Sequence, residues 1–365
     1  MGLKSFLSSA LLAAPLALAH PGHHEEAPSH PLEARDLNHC SRAFNDPELV
    51  KRTVEFHGNE YARLRRDLGL DEPVQKRSLR PRDYLSVSRI DHKTNKAVSK
   101  NMDASTLFKD AGACILMPYV DEGPLYVRGE EVRKDLTEGK AGIKMTLAIQ
   151  VVDYKTCQVV PNAYVDIWSS NATGIYTGVQ GYPGMGDPKD PSILKLRAFR
   201  GVQPTDANGL AVFDTIIPGR YEGRTTHIHT IVYLGAKKEA NNTITGGKAA
   251  HVGQIYFDQS LLTEANKVTP YNTIKAPILL NTNDFLFRNG ANGDDPIVRY
   301  NLIGDKLEDG VYAWIRFGIN QSKDYKLNPA AFWREGGGVM NPTGPVKPGG
   351  GLAGGFGKRA ADEEN

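Results

Sequence analysis

Tyr221, Arg224, His227 and His229 place a phenol, a guanidinium and two imidazoles within nine consecutive positions of this 365-residue chain. On a strand, side chains two apart point to the same face with Cα atoms roughly 6.5–7 Å apart, so His227 and His229 can aim at one point. The run THIHTIVYL, beginning at Thr226, is rich in β-branched and aromatic residues and supports the strand. That spacing suits two ligands of one metal ion. A pair of histidines satisfied by ordinary hydrogen bonds gives the same H-x-H pattern, so the motif needs company.

The company is a second tyrosine upstream, in NAYVDIWSSNATGIYTG, which begins at Asn162. A strand with Ala163, Val165 and Ile167 alternating runs through Trp168 to a glycine-bounded turn that carries Tyr176. With this block in place, residues 114–257 resemble the intradiol ring-cleavage dioxygenases, and within them the secreted fungal branch. Five blocks occur in the family's order: CILMPYVDEGPLYV, AYVDIW with GIYTG, DANGLAVFDTIIPGRY, GRTTHIH and HVGQIYF. Their order over one long stretch is more specific than any single block.

The resemblance implies that Tyr176, Tyr221, His227 and His229 are ligands of Fe(3+), that Arg224 is the family's active-site arginine, and that Gln254 is its active-site glutamine. The donor chemistry agrees. Ferric iron is a hard, trivalent Lewis acid, and two phenolates with two neutral imidazoles compensate its charge without soft sulfur ligands. A bound cation favours the deprotonated form of a ligand, so tyrosines with a free pKa of about 10 can bind as phenolates at neutral pH. Two departures from the family pattern stand out. Tyr221 lies six positions before His227, closer than in the bacterial enzymes, and the stretch between His229 and Gln254 is lengthened by GAKKEANNTITGGKAAHV.

The implied activity is cleavage of a small aromatic diol between its two hydroxyls, with dioxygen as co-substrate and a muconate-type diacid as product. Tyr221 is the expected departing ligand, carrying a proton away, while Arg224 stabilises negative charge and orients the ring. Two rivals from other classes stand beside it. One is a secreted, non-catalytic sandwich that binds aromatic or cell-wall material, since fold does not imply function. The other is a copper redox protein centred on His20, with His23 and His24 nearby.

The elements that must position these residues point to a mainly β protein: a β-sandwich core with a short N-terminal helical region and a flexible Gly-rich C-terminal tail. KMTLAIQVVDY, from Lys144 to Tyr154, alternates like a half-buried strand, and the segments Leu210–Ile217 and Tyr312–Ile319 extend the set. Short strands between Gly, Pro and Asn turns argue for a sandwich over residues 113–335. Glu122-Gly123-Pro124 matches the family segment at the substrate entrance, where Leu125 and Tyr126 would offer a flat apolar wall; it reads equally as a turn into the first core strand. Residues 46–112 are helical and irregular. Asp46-Pro47-Glu48 opens a helix with an N-cap, a first-position proline and an acid, and the amphipathic pattern beyond it is one helix or a pair broken near Gly58.

Residues 1–19 read as a signal peptide, with Lys4, an apolar run and an A-x-A site before His20, which implies a secreted, extracellular protein. Residues 20–45 are a His/Pro-rich mobile segment, Lys76-Arg77 reads as a processing site or an exposed loop, and residues 336–365 form a disordered tail. With 44 basic against 42 acidic residues there is no broad field for nucleic acid or anionic membranes, and neither partner is expected. Oligomeric state is open. Of the three cysteines, Cys114 and Cys157 both lie in the core and are the expected disulfide, leaving Cys40. Asn171, Asn241 and Asn320 fit the N-glycosylation rule for a secreted glycoprotein.

Overall fold

The computed structural model describes residues 37–70, 84–93, 113–114, 120, 122–181, 185–186, 189–291 and 295–346. The expected signal peptide, the segment with His20, and Lys76-Arg77 lie outside the described residues. A 3-10 turn at Asn38–Cys40 leads into α1 (Ser41–Phe44), α2 (Pro47–Asp67) and, beyond residues outside the description, α3 (Tyr84–Arg89). Asp46 caps α2 by accepting hydrogen bonds from the backbone N–H groups of Glu48 and Leu49, and Pro47 sits at the first helical position where its missing N–H costs nothing. The helix runs unbroken through Gly58, because Leu49, Thr53, Val54, His57 and Tyr61 form one buried stripe on either side of it.

The strands follow as β1 (Ala113–Cys114), β2 (Val127–Arg128), β3 (Lys144–Asp153), β4 (Tyr164–Trp168), β5 (Arg200–Pro204), β6 (Leu210–Ile216), β7 (His227–Lys238) and β8 (Ile244–Tyr256). Two short helices, α4 (Gln259–Ala265) and α5 (Phe285–Gly290), precede β9 (Arg299–Leu302), β10 (Val311–Ile319), β11 (Ala331–Arg334) and β12 (Gly337–Met340). One sheet runs β1-β10-β3-β6, with β9 also on β10; a second runs β5-β4-β7-β8; a small third sheet runs β12-β11-β2.

The first two sheets face each other as a sandwich. Met145, Leu147, Ile149 and Val151 of β3, Phe213 of β6 and Phe317 of β10 meet Val165 and Ile167 of β4 and Ile228 and Val232 of β7 in one core. Burying such side chains stabilises the fold by about 1.5–3 kcal/mol each, which makes this layer the rigid platform of the molecule. β3 is not the half-buried strand its alternation implies: every residue after Lys144 is buried. The helical region accounts for the difference, since Val54 and Tyr61 of α2 pack with Ala148, Tyr312 and Trp314 on the outer face of that sheet.

Two further expectations about this fold fail against the structure. The disulfide joins Cys40 to Cys157, not Cys114 to Cys157, with Cα atoms 5.2 Å apart, within disulfide reach. The turn at residues 38–40 docks Leu37 and Cys40 on Val152 at the end of β3, beside the turn that carries Cys157, whereas Cys114 lies on β1 opposite Phe317. The tail does not begin at Gly336 either. Gly337–Met340 is a strand paired with β11, and Val346 is fully buried, so order persists to the last described residue.

Candidate metal centre and active site

Strand parity decides which face each side chain takes. Ile228 of β7 points into the core between the sheets, so His227 and His229 point to the outer face, toward a second cluster that holds Leu125, Trp168, Tyr176 and Tyr221. The register across this sheet sets Arg200 opposite Trp168, Trp168 opposite His229, and His229 opposite Gln254. His227 is in turn opposite Tyr256. The lengthened stretch after His229 is the β7–β8 hairpin, which returns Gln254 to the site whatever the hairpin's length.

Two loops deliver the phenols, and they interlock. A Cβ on Gly174, whose φ is +86°, would collide with the carbonyl oxygen of Arg220, and one on Gly219 would lie 2.6 Å from the backbone nitrogen of Gly174. Neither position has room for a side chain, so the backbone beneath Tyr176 and that beneath Tyr221 are pressed together. The phenol rings stand 5.6 Å apart, edge to face.

The four sequence-predicted ligands are brought together. The Tyr221 hydroxyl and the His229 Nε2 each lie 3.1 Å from the His227 Nε2, and the Tyr176 ring is 6.2 Å from the His229 ring. His227 donates from Nδ1 to the carbonyl of Thr225 at 2.7 Å, which leaves Nε2 with its lone pair toward the cluster. All four side chains are buried. Desolvation by that burial pushes the Tyr176 phenol up to about 12, against the pull of Tyr221, Arg224 and Arg200, and pushes Tyr221 well above its usual range. The Tyr176 hydroxyl finds no hydrogen bond of good geometry, although it interacts with Tyr221.

This donor set fits a ferric ion. Two buried phenols that will not ionise unaided, two imidazoles presenting Nε2 to one point, and contacts of 3.1 Å match neighbouring ligands of one hard cation.

Arg224 is also placed at the cluster, with Nη1 3.5 Å from the His227 Nε2. Its Nε donates to the Asp284 carboxylate at 2.8 Å, and its Nη2 donates to Gln254 Oε1 at 2.6 Å and to the Tyr256 hydroxyl at 3.0 Å. Burial would discharge the guanidinium, but Asp284 together with the Tyr256 and Tyr221 phenols outweighs it and holds the charge more firmly than usual. Burial likewise works against the Asp284 carboxylate, yet Arg224 and the backbone N–H groups of Phe287 and Thr225 keep it below the usual carboxylate range. Asp284 and Tyr256 went unread in the sequence. Tyr256 was findable, two residues after Gln254 on the same strand face; Asp284 looks like an ordinary cap of α5, which it also is.

Gly123 lies against His229, where a Cβ would meet the ring at 2.9 Å. Glu122-Gly123-Pro124 thus borders the site while turning into β2. Tyr126 is no exposed wall: it is buried behind Trp168, with its hydroxyl 2.6 Å from that of Tyr233.

Residues 121–264 match the Dioxygenase_C family, described as dioxygenase. An intradiol ring-cleavage dioxygenase from Tetranychus urticae is 30% identical over 58% of this chain and 98% of its own, with a TM-score of 0.49. The dioxygenase domain of a dioxygenase carbohydrate-binding protein fusion from Streptomyces sp. SirexAA-E is 24% identical over 56% of this chain and 97% of its own, with a TM-score of 0.37. Catechol 1,2-dioxygenase from Acinetobacter sp. ADP1 is 19% identical over 58% of this chain and 67% of its own, with a TM-score of 0.39. No curated protein sequence matches at comparable significance. The chain belongs to the intradiol ring-cleavage dioxygenases, a family of non-haem iron(III) enzymes.

Proposed function

We propose that this protein is an extracellular enzyme of the secreted fungal type that cleaves catechol-type aromatics between their two hydroxyls, giving muconate-type diacids. The observation that carries this reading is the convergence of Tyr221, His227 and His229 at 3.1 Å contacts beside Tyr176 and Arg224. Tyr176, Tyr221, His227 and His229 would hold Fe(3+). When bound, that ion supplies the Lewis acid that draws both catechol oxygens to one centre and makes the ring receptive to dioxygen.

The chain's own residues do the rest. Tyr221 is the phenol best placed to take a proton from the incoming diol, because its oxygen faces the cluster, 3.1 Å from the His227 Nε2. Arg224 presents a permanent charge that Asp284, Gln254 and Tyr256 hold in one orientation, ready for negative charge that develops on the substrate. His229 is kept in plane by Trp168. The disulfide between Cys40 and Cys157 supports an oxidising compartment.

The test supplies a panel of catechols under heavy dioxygen. One dioxygen consumed per substrate, with both heavy atoms in an acyclic diacid, is the expected result. A yellow semialdehyde, or a quinone with hydrogen peroxide, would sink the assignment.

A further inference from the structure

We propose that Arg200 is a positioning residue for the metal centre: its buried guanidinium ties the segment carrying Tyr176 to the segment covering His229, and fixes a positive charge over the Tyr176 ring. The inference rests on the reading of Tyr176 and His229 as ligands given above.

Arg200 is 0% exposed, and arginine is seldom so deeply buried without a dedicated partner. The obvious partner is Glu130, itself buried, but the two approach only to 4.0 Å. The close hydrogen bonds go elsewhere. Nε donates to the carbonyl of Thr177 at 2.6 Å, one residue after Tyr176, and Nη2 donates to the carbonyl of Leu125 at 2.9 Å, two residues after Gly123. Gly123 is the residue whose backbone lies against His229. One planar group therefore spans the two loops that flank the sheet row of Arg200, Trp168 and His229. A planar fork of fixed donors can hold two carbonyls at once, which the single ammonium of lysine does less well.

The charge is placed as deliberately as the hydrogen bonds. The guanidinium carbon stands 5.8 Å from the centre of the Tyr176 ring, within cation–π range. A fixed cation there lowers the energy of the phenolate's donor electrons. Were the role only to neutralise Glu130, the shortest contact would run to that carboxylate and not to two backbone carbonyls.

The test uses the full chain with Arg200→Lys, and with Arg200→Met joined to Glu130→Gln so that Glu130 is not left as a lone buried carboxylate. In the metal-free proteins, hydrogen exchange over residues 122–128 and 174–181 is expected to rise about tenfold or more in both variants, while β3 and β10 exchange as in the parent. After loading with ferric iron, the neutral variant is expected to move the visible tyrosinate band to longer wavelength and to lower kcat about tenfold with KM changed less, whereas Arg200→Lys keeps the band near its parent position. Unchanged exchange in both segments, or a neutral variant with the parent's band, overturns the proposal. A parent that takes no colour on iron loading instead overturns the ferric reading of Tyr176, and the exchange data still decide whether Arg200 ties the two loops.

Discussion

Trp168 lies face to face with His229, ring centroids 4.8 Å apart and planes within 5° of parallel. The two residues are cross-strand partners on β4 and β7, so the stack is set by register and not by a loop. Tyr126 also packs on the indole, tilted, with centroids 4.8 Å apart. The imidazole proposed as a ligand is thereby held by strand register, whereas the two phenols come from loops.

Trp168→Leu should therefore lose more iron than turnover chemistry alone explains. Removing the stack frees the His229 ring, and loss of a partner that orients a ligand typically costs about 10–100-fold in metal affinity. Competitive metal titration checks this, with Trp168→Phe expected to fall between Leu and the parent. Parent-like affinity in Trp168→Leu would show that the stack is only packing.

The interlocked loops make a second case. Gly219→Ala places a methyl against the backbone of Ala172 and Gly174, so it should destabilise the fold by about 1–3 kcal/mol and lower the iron content together. Denaturant melts and metal analysis on the same preparation check the pairing of the two effects. A destabilised protein with full iron would mean that the loop spacing tolerates the methyl and does not set the centre.

Arg224→Ala removes charge stabilisation, a loss of about 2.7–4 kcal/mol in the activation barrier at comparable sites, without removing an iron ligand. It also leaves Asp284 buried and unpaired, which breaking a buried pair makes costly. Joining Arg224→Ala to Asp284→Asn should recover stability but not turnover, because asparagine can still cap α5 at the Phe287 N–H. Thermal melts beside steady-state kinetics separate the two effects; recovered turnover in the double variant would remove Arg224 from the reaction.

Much of this site is written in the sequence because strand parity is local. Two residues apart means one face, so His227 with His229 needed only the β7 pattern, and the glycines around Tyr176 marked its turn. What the sequence hid is whatever depends on which strands become neighbours. Arg200, Trp168, His229 and Gln254 form one row across four strands whose order, β5-β4-β7-β8, no local pattern reveals. The buried outer face of β3 was hidden for the same reason, since α2 covers it from far away in the chain. Shared membership of the core region made Cys114 look like the partner of Cys157, when the docking of the 38–40 turn decides the bond.

Alkaline solution should loosen the back of the site through His92. Its ring is buried between two carboxylates: Nδ1 contacts Asp258 Oδ1, and Nε2 lies 3.0 Å from Asp295. Burial lowers the imidazole's affinity for a proton, but the two carboxylates more than reverse this and raise it to about 9. Asp258 itself is pushed up by burial against the pull of His92. A raised pKa on a cationic group means stability that is fully present below the unfolded value of about 6.5 and lost as pH rises through about 9, a span worth on the order of 3 kcal/mol. The consequence reaches the site because Val87, carried by the same segment, packs with Tyr256 and Phe287, and Tyr256 accepts a hydrogen bond from Arg224. Urea melts of the parent should lose stability between pH 6.5 and 9.5, and His92→Gln should flatten that slope while starting from a lower value at pH 6.5. A His92→Gln profile parallel to the parent's would place the alkaline loss in some other group.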